Sequence, residues 1–166
     1  CLAGECRADL DLLSAQGLCR TLVVAVERGS DWPQVAALYQ GVQEDFDLPL
    51  PALAVAVEQG YQVWFSLAAP VPLAMAEVFL GGLQRKYLCG IPASRLRLYP
   101  AAADSCVALA PALQPASGRW SAFIDPTMGG MFVEATWLDM APNPDRQADM
   151  LAALKSIPLP TFERVC

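Results

Sequence analysis

From residue 20 to residue 99 the apolar pattern switches between a two-residue and a 3.6-residue period in a fixed order, and that order restricts the fold most. RTLVVAVE (20–27) is short, β-branched and apolar on both faces, as expected of a central strand covered on both sides. Ser30 and Asp31 offer helix N-caps, with Pro33 near the first helical position. Val35, Leu38, Tyr39, Val42 and Phe46 then recur at helical spacing. ALAVAVE (52–58) and YQVWFSL (61–67) are two more strands, separated by Gln59 and Gly60, a two-residue turn that predicts a hairpin. Pro70 and Pro72 break the chain, and Ala76, Phe79, Leu80, Leu83 and Tyr87 mark a second amphipathic helix. Gly81 and Gly82 weaken that helix and suggest a close approach to a neighbour. RLRLY (95–99) alternates as a fourth strand.

The result is β-α-β-β-α-β, the ferredoxin-like order, in which two helices cover one face of a four-stranded antiparallel sheet. We therefore expect one α+β domain over residues 1–166. A helix over 4–16, stopped by Gly17, precedes the unit. Residues 100–118, rich in Ala and Pro, connect it to an extension over 119–166. A short helical stretch is predicted near 106–113 and a strand at RWSAFI (119–124). The last helix runs over about 144–157, capped by Asn143 and ended by Pro158 and Pro160. The first helix and this extension would cover the second sheet face, with Trp120, Phe123, Phe132 and Trp137 supplying contact area.

Composition limits the chemistry. The chain has no histidine, which removes Ser-His-Asp and Cys-His catalysis and histidine metal sites from this chain. Eleven basic against seventeen acidic residues give a net charge of −6, which argues against a nucleic-acid partner. The six cysteines, at 1, 6, 19, 89, 106 and 166, form no CxxC pair, so free and mostly buried thiols are expected. With no long apolar run and no signal peptide visible, a cytoplasmic, non-membrane protein is expected. From the start at Cys1, without methionine, we expect that preceding residues were trimmed, cleaved or left out of the sequence.

Two segments carry a resemblance. LVVAVERG stands where a first strand would end in two acidic residues one apart. QGYQVWFSLAAPVP stands where a Gly-aromatic-His-hydrophobic-aromatic strand would lead through a proline turn into a helix. Over about 20–99 the chain thus resembles the archaeo-eukaryotic primase superfamily. The resemblance implies metal-dependent nucleotidyl transfer, but the groups that would perform it are missing. Ala25 and Glu27 occupy the two acidic positions, and Gln62 replaces the histidine. RLRLY carries no carboxylate, Asp104 being the nearest beyond it. Two cations need clustered carboxylates, so the family member implied is catalytically degenerate and needs no cofactor. Gln59-Gly60-Tyr61 and Phe65 are also similar to the third strand of an RNA-recognition motif, but Gln59 replaces its basic residue and LVVAV lacks its first-strand aromatic.

Glu27 is the candidate catalytic group, against the ordinary role of a solvated strand end. Gln62, Trp64, Ser66, Arg95 and Arg97 are candidate ligand-binding residues, against roles as satisfied strand residues. Arg85 and Lys86 complement a helix C-terminus, and Asp145 and Asp149 share an exposed helix face with Asp139 close by. The function expected is binding of a protein or a small phosphorylated ligand. The alternative is an enzyme acting on nucleotides or phosphorylated ligands, in which Glu27 and one of Asp31, Glu58 or Asp104 hold Mg or Mn. A third reading is an interaction protein of a larger bacterial assembly, bound through exposed apolar patches.

Overall fold

A computed structural model of the chain describes residues 8–166. In chain order the regular elements begin with β1 (Asp9–Asp11), β2 (Leu18–Val26), α1 (Trp32–Phe46), β3 (Ala52–Ala56), β4 (Gly60–Pro72) and α2 (Leu73–Tyr87). They continue with β5 (Leu96–Tyr99), β6 (Cys106–Ala108), β7 (Ala112–Gln114), β8 (Arg119–Ile124), α3 (Pro144–Ala152) and α4 (Leu159–Val165). The protein is α+β. Its main sheet has the order β5-β2-β4-β3-β8-β7 with every neighbouring pair antiparallel. β2 to β5, with α1 and α2 between them, follow the predicted β-α-β-β-α-β succession.

Alternation along the central strands builds two cores. Leu22, Val24 and Val26 of β2 and Tyr61, Val63 and Phe65 of β4 point to one face. There they meet Val35, Leu38 and Val42 of α1, Phe79, Leu80 and Leu83 of α2, and Phe162 of α4. Val23, Ala25, Ala54, Trp64 and Phe123 of β8 point to the other, where Leu12, Val107, Ala110 and the half-buried Met150 cover them. Both faces of β2 are therefore dry, as its doubly apolar sequence requires. Phe132 packs instead on the helix-side core. Trp120 and Trp137 lie outside both cores; Trp120 bridges to Leu138, and Arg119 lies over the Trp137 ring at 3.9 Å.

Several expectations fail for identifiable reasons. The predicted first helix is not formed where it can be seen: Asp9–Asp11 is a strand paired with Cys106–Ala108, and residues 4–7 lie outside the described residues. Tertiary pairing wins because Leu12, just past the strand, fills the second core. Gly17, expected as a helix stop, takes a positive φ of 72° in the turn between β1 and β2. Pairing of β6 with β1 and of β7 with β8 replaces the predicted helical stretch at 106–113 by strands, so 100–118 is part of the structure rather than a linker. The hairpin loop holds three residues, 57–59, with Ala56 opposite Gly60.

β4 runs on through both prolines. Its register against β2 jumps from Ser66 opposite Thr21 to Val71 opposite Cys19. Pro70, which has no N–H to donate, sits in the stretch that leaves β2. On the opposite edge of β4, past the Ala52–Trp64 pair where β3 begins, Ile157 continues the pairing, its N–H donating to the Ser66 carbonyl (2.7 Å) and its carbonyl accepting from Ala68 (2.9 Å). That recruitment draws residues 153–157 out of the predicted last helix. Pro158 and Pro160, expected as stops, instead open α4, where a missing N–H costs nothing. Of the cysteines among the described residues all are free; Cys19 is buried while Cys89, Cys106 and Cys166 are exposed, against the expectation of mostly buried thiols. Cys1 and Cys6 lie outside the described residues. No helix among the described residues is long and apolar enough to cross a membrane.

Candidate functional site

Strand register brings the positions singled out by the resemblance into one row. Ala25 of β2 lies opposite Arg97 of β5 on one side and Gln62 of β4 on the other; Ala54 of β3 and Phe123 of β8 continue the row. The row belongs to the face away from α1 and α2. Two residues on from Ala25, at the end of β2, Glu27 is exposed, its backbone N–H held by the Arg95 carbonyl at 2.9 Å.

Around this end of the sheet lies a cavity of about 390 Å³, lined by Ala25, Glu27, Glu58, Gln59, Arg97, Tyr99 and Asp104. Each side chain arrives by a different route. Glu58 is carried by the hairpin loop, where it adopts a φ of 68°. Gly60 follows at φ 71°, and a Cβ there would strike the carbonyls of Val26 and Glu27. The loop can approach β2 because that residue is glycine. Asp104 sits in a tight bend, its carbonyl accepting from Ala101 and its N–H returning to Ala101. Burial, with help from Asp104 and against Arg97, raises the Tyr99 hydroxyl above its ordinary value, so it stays a neutral donor. Three carboxylates and one guanidinium thus surround the cavity. Among the described residues no group of three or more His, Cys, Asp or Glu is placed to hold a metal ion. Ala25, Gln62 and Arg97 do not fit two-cation chemistry.

The other candidates are used internally. Gln62 is fully buried; its amide donates to Gln59 Oε1 (2.6 Å) and its carbonyl oxygen accepts from Trp64 Nε1 (3.1 Å). Trp64 packs edge-on to Phe123 in the second core. The Ser66 hydroxyl pairs with that of Ser156 at 2.8 Å. Arg95 is tied to Asp31, Nη1 lying 3.1 Å from Oδ2 and 3.3 Å from Oδ1, so both leave the cavity. Lys86 pairs with Asp45 at 2.7 Å and covers the Phe46 ring; these contacts, led by Lys86 and then the Tyr87 hydroxyl, hold the Asp45 carboxyl below its usual range. Of the predicted site residues only Glu27 and Arg97 line the cavity, joined by Glu58 and Asp104 from the carboxylate alternative. Sequence reasoning missed Gln59 and Tyr99. Tyr99 was findable, since it alternates with Arg97 on the same strand face.

No protein-family model matches this chain, and no curated protein is significantly similar to it.

Proposed function

We propose that this chain is a ferredoxin-like, primase-like domain that has lost nucleotidyl-transfer chemistry and works as a binding module for a protein segment. The observation that carries the proposal is the row Arg97–Ala25–Gln62. Where the resemblance calls for an acid, a second acid and a histidine, the row holds a cation, a methyl group and an internally bonded amide. The cavity beside it remains open and polar. Its surplus of carboxylates supports a partner presenting a basic side chain over a phosphorylated ligand or nucleic acid. The free thiols support a reducing, cytoplasmic setting.

A second reading, a Mg- or Mn-dependent carboxylate enzyme, is favoured by one fact: Glu27, Glu58 and Asp104 line the same cavity. Calorimetric titration separates the two. With a nucleoside triphosphate, with and without manganese, we expect no saturable heat; with short arginine-containing peptides we expect weak saturable binding, reduced at least severalfold in Glu58→Ala. Metal-dependent triphosphate binding that disappears in Glu27→Ala would put the enzyme first, and silence toward the peptides would remove the protein-segment reading.

A further inference from the structure

A five-residue strand away from that cavity, at the opposite end of β3, lies a second cavity of about 250 Å³. Its origin is the way α3 docks. Gln147 is the helix's one buried residue, clamped to Phe123 by two hydrogen bonds of 2.8 Å each. The turn that follows is not drawn down: Met150 and Leu154 are half-buried and Leu151 is exposed. The space beneath has Phe123 as floor, Met150 and Leu154 as roof and Tyr39 of α1 as one wall.

Of the twelve lining residues Asp125 alone is charged. Its Oδ1 accepts from the Thr127 N–H (2.9 Å) and hydroxyl (2.6 Å), and among the described residues no Lys or Arg pairs with it. The Thr127 bonds keep the carboxyl below its usual range, hence ionised. Burial, and then the nearness of Asp125, raises the Tyr39 hydroxyl, which stays protonated. An apolar cavity with one fixed anion and one neutral donor at its wall is the usual make-up of a small-molecule site. Asp125 is exposed, so it stands at the mouth of the cavity, where it repels anions and gives a bound cation a charge-assisted hydrogen bond.

We propose that this cavity binds a small organic ammonium ion, with an apolar body of about one ring seated on Phe123 under Leu154 and its N–H groups on Asp125. The size supports the ligand class, since about 250 Å³ lies just below the usual range for drug-sized ligands. The site is separate from the Glu27 cavity and stands or falls independently of it.

The test is calorimetric titration of the full chain with 2-phenylethylamine, 2-phenylethanol and 3-phenylpropionate. The amine should bind saturably and about tenfold or more tighter than the alcohol, and the acid should not bind. Asp125→Asn preserves the turn's cap, because asparagine accepts the same N–H, yet should reduce the amine to the level of the alcohol. Ala153→Phe, at an exposed rim position, should fill the cavity and abolish binding of both; thermal melts establish that each variant is folded. Equal affinity for the three compounds, an amine preference that persists in Asp125→Asn, binding that survives Ala153→Phe, or no saturable heat from any compound would each overturn the assignment.

Discussion

Gln147 shows how much one side chain can decide. β7 pairs with β8 only as far as Ser121, so two residues on, the backbone of Phe123 has no strand on that side. The Gln147 amide takes its place, accepting from the Phe123 N–H and donating to its carbonyl. Gln147→Ala leaves both groups buried and unsatisfied, and we expect a loss of about 2–4 kcal/mol in urea unfolding. A loss under about 1 kcal/mol would mean that water replaces the amide. Nothing in the sequence marks this residue, because its role depends on where β7 happens to stop pairing, at Ala112 opposite Ser121. Glu27, Glu58, Arg97 and Asp104 were each legible as polar groups at strand or loop ends, but only the register of β5, β2 and β4 puts them around one cavity.

Among the elements, the two covering helices use their glycines in opposite ways. A Cβ on Gly41 of α1 would run into the Tyr87 ring of α2, so that glycine permits the helices to approach. Gly82 of α2, suspected from its pairing with Gly81, has open space where a Cβ would sit. We therefore expect Gly82→Ala to raise stability by about 0.5–1 kcal/mol through helix propensity. Gly41→Ala should lower it by about 1–3 kcal/mol through overpacking. Parallel chemical denaturation of the two variants checks both signs. β2 to β5 and both helices were readable because each carries enough apolar residues for its period to show. β1 was not: Leu10, Leu12 and Leu13 suit either period over so short a run, and the partner that decides, Cys106–Ala108, lies almost a hundred residues away. Where prolines were expected to end elements, at 70, 72, 158 and 160, the chain used their missing N–H at a bulge or a helix start.

At the scale of the whole molecule, the absence of histidine leaves no side chain with an ordinary pKa between about 6 and 8, and stability should be flat there. The alkaline side differs. Burial pushes Tyr61 up from 10.0 to about 12. Burial, foremost, also raises Tyr39, Tyr87 and Tyr99. A group whose folded pKa is raised adds stability that is complete below its unfolded value and is lost as pH climbs through the folded one. Burial likewise raises the Cys19 and Cys166 thiols from 9.0, so stability should hold to about pH 9 and fall from there toward about pH 12, with Tyr61→Phe flattening the upper part of the decline. Phenolate absorbance should appear together with loss of the circular dichroism signal; ionisation of all four tyrosines near pH 10 with the fold intact would contradict this. The two outermost strands of the main sheet carry a last consequence. β5 has four residues and runs into Pro100; β7 has three, between Pro111 and Pro115. Such stubs offer too little unpaired backbone to template another chain. Along β5 and β7 neither fibril growth nor capture of an extended peptide by strand addition finds a template, and recognition at these two edges falls to side chains.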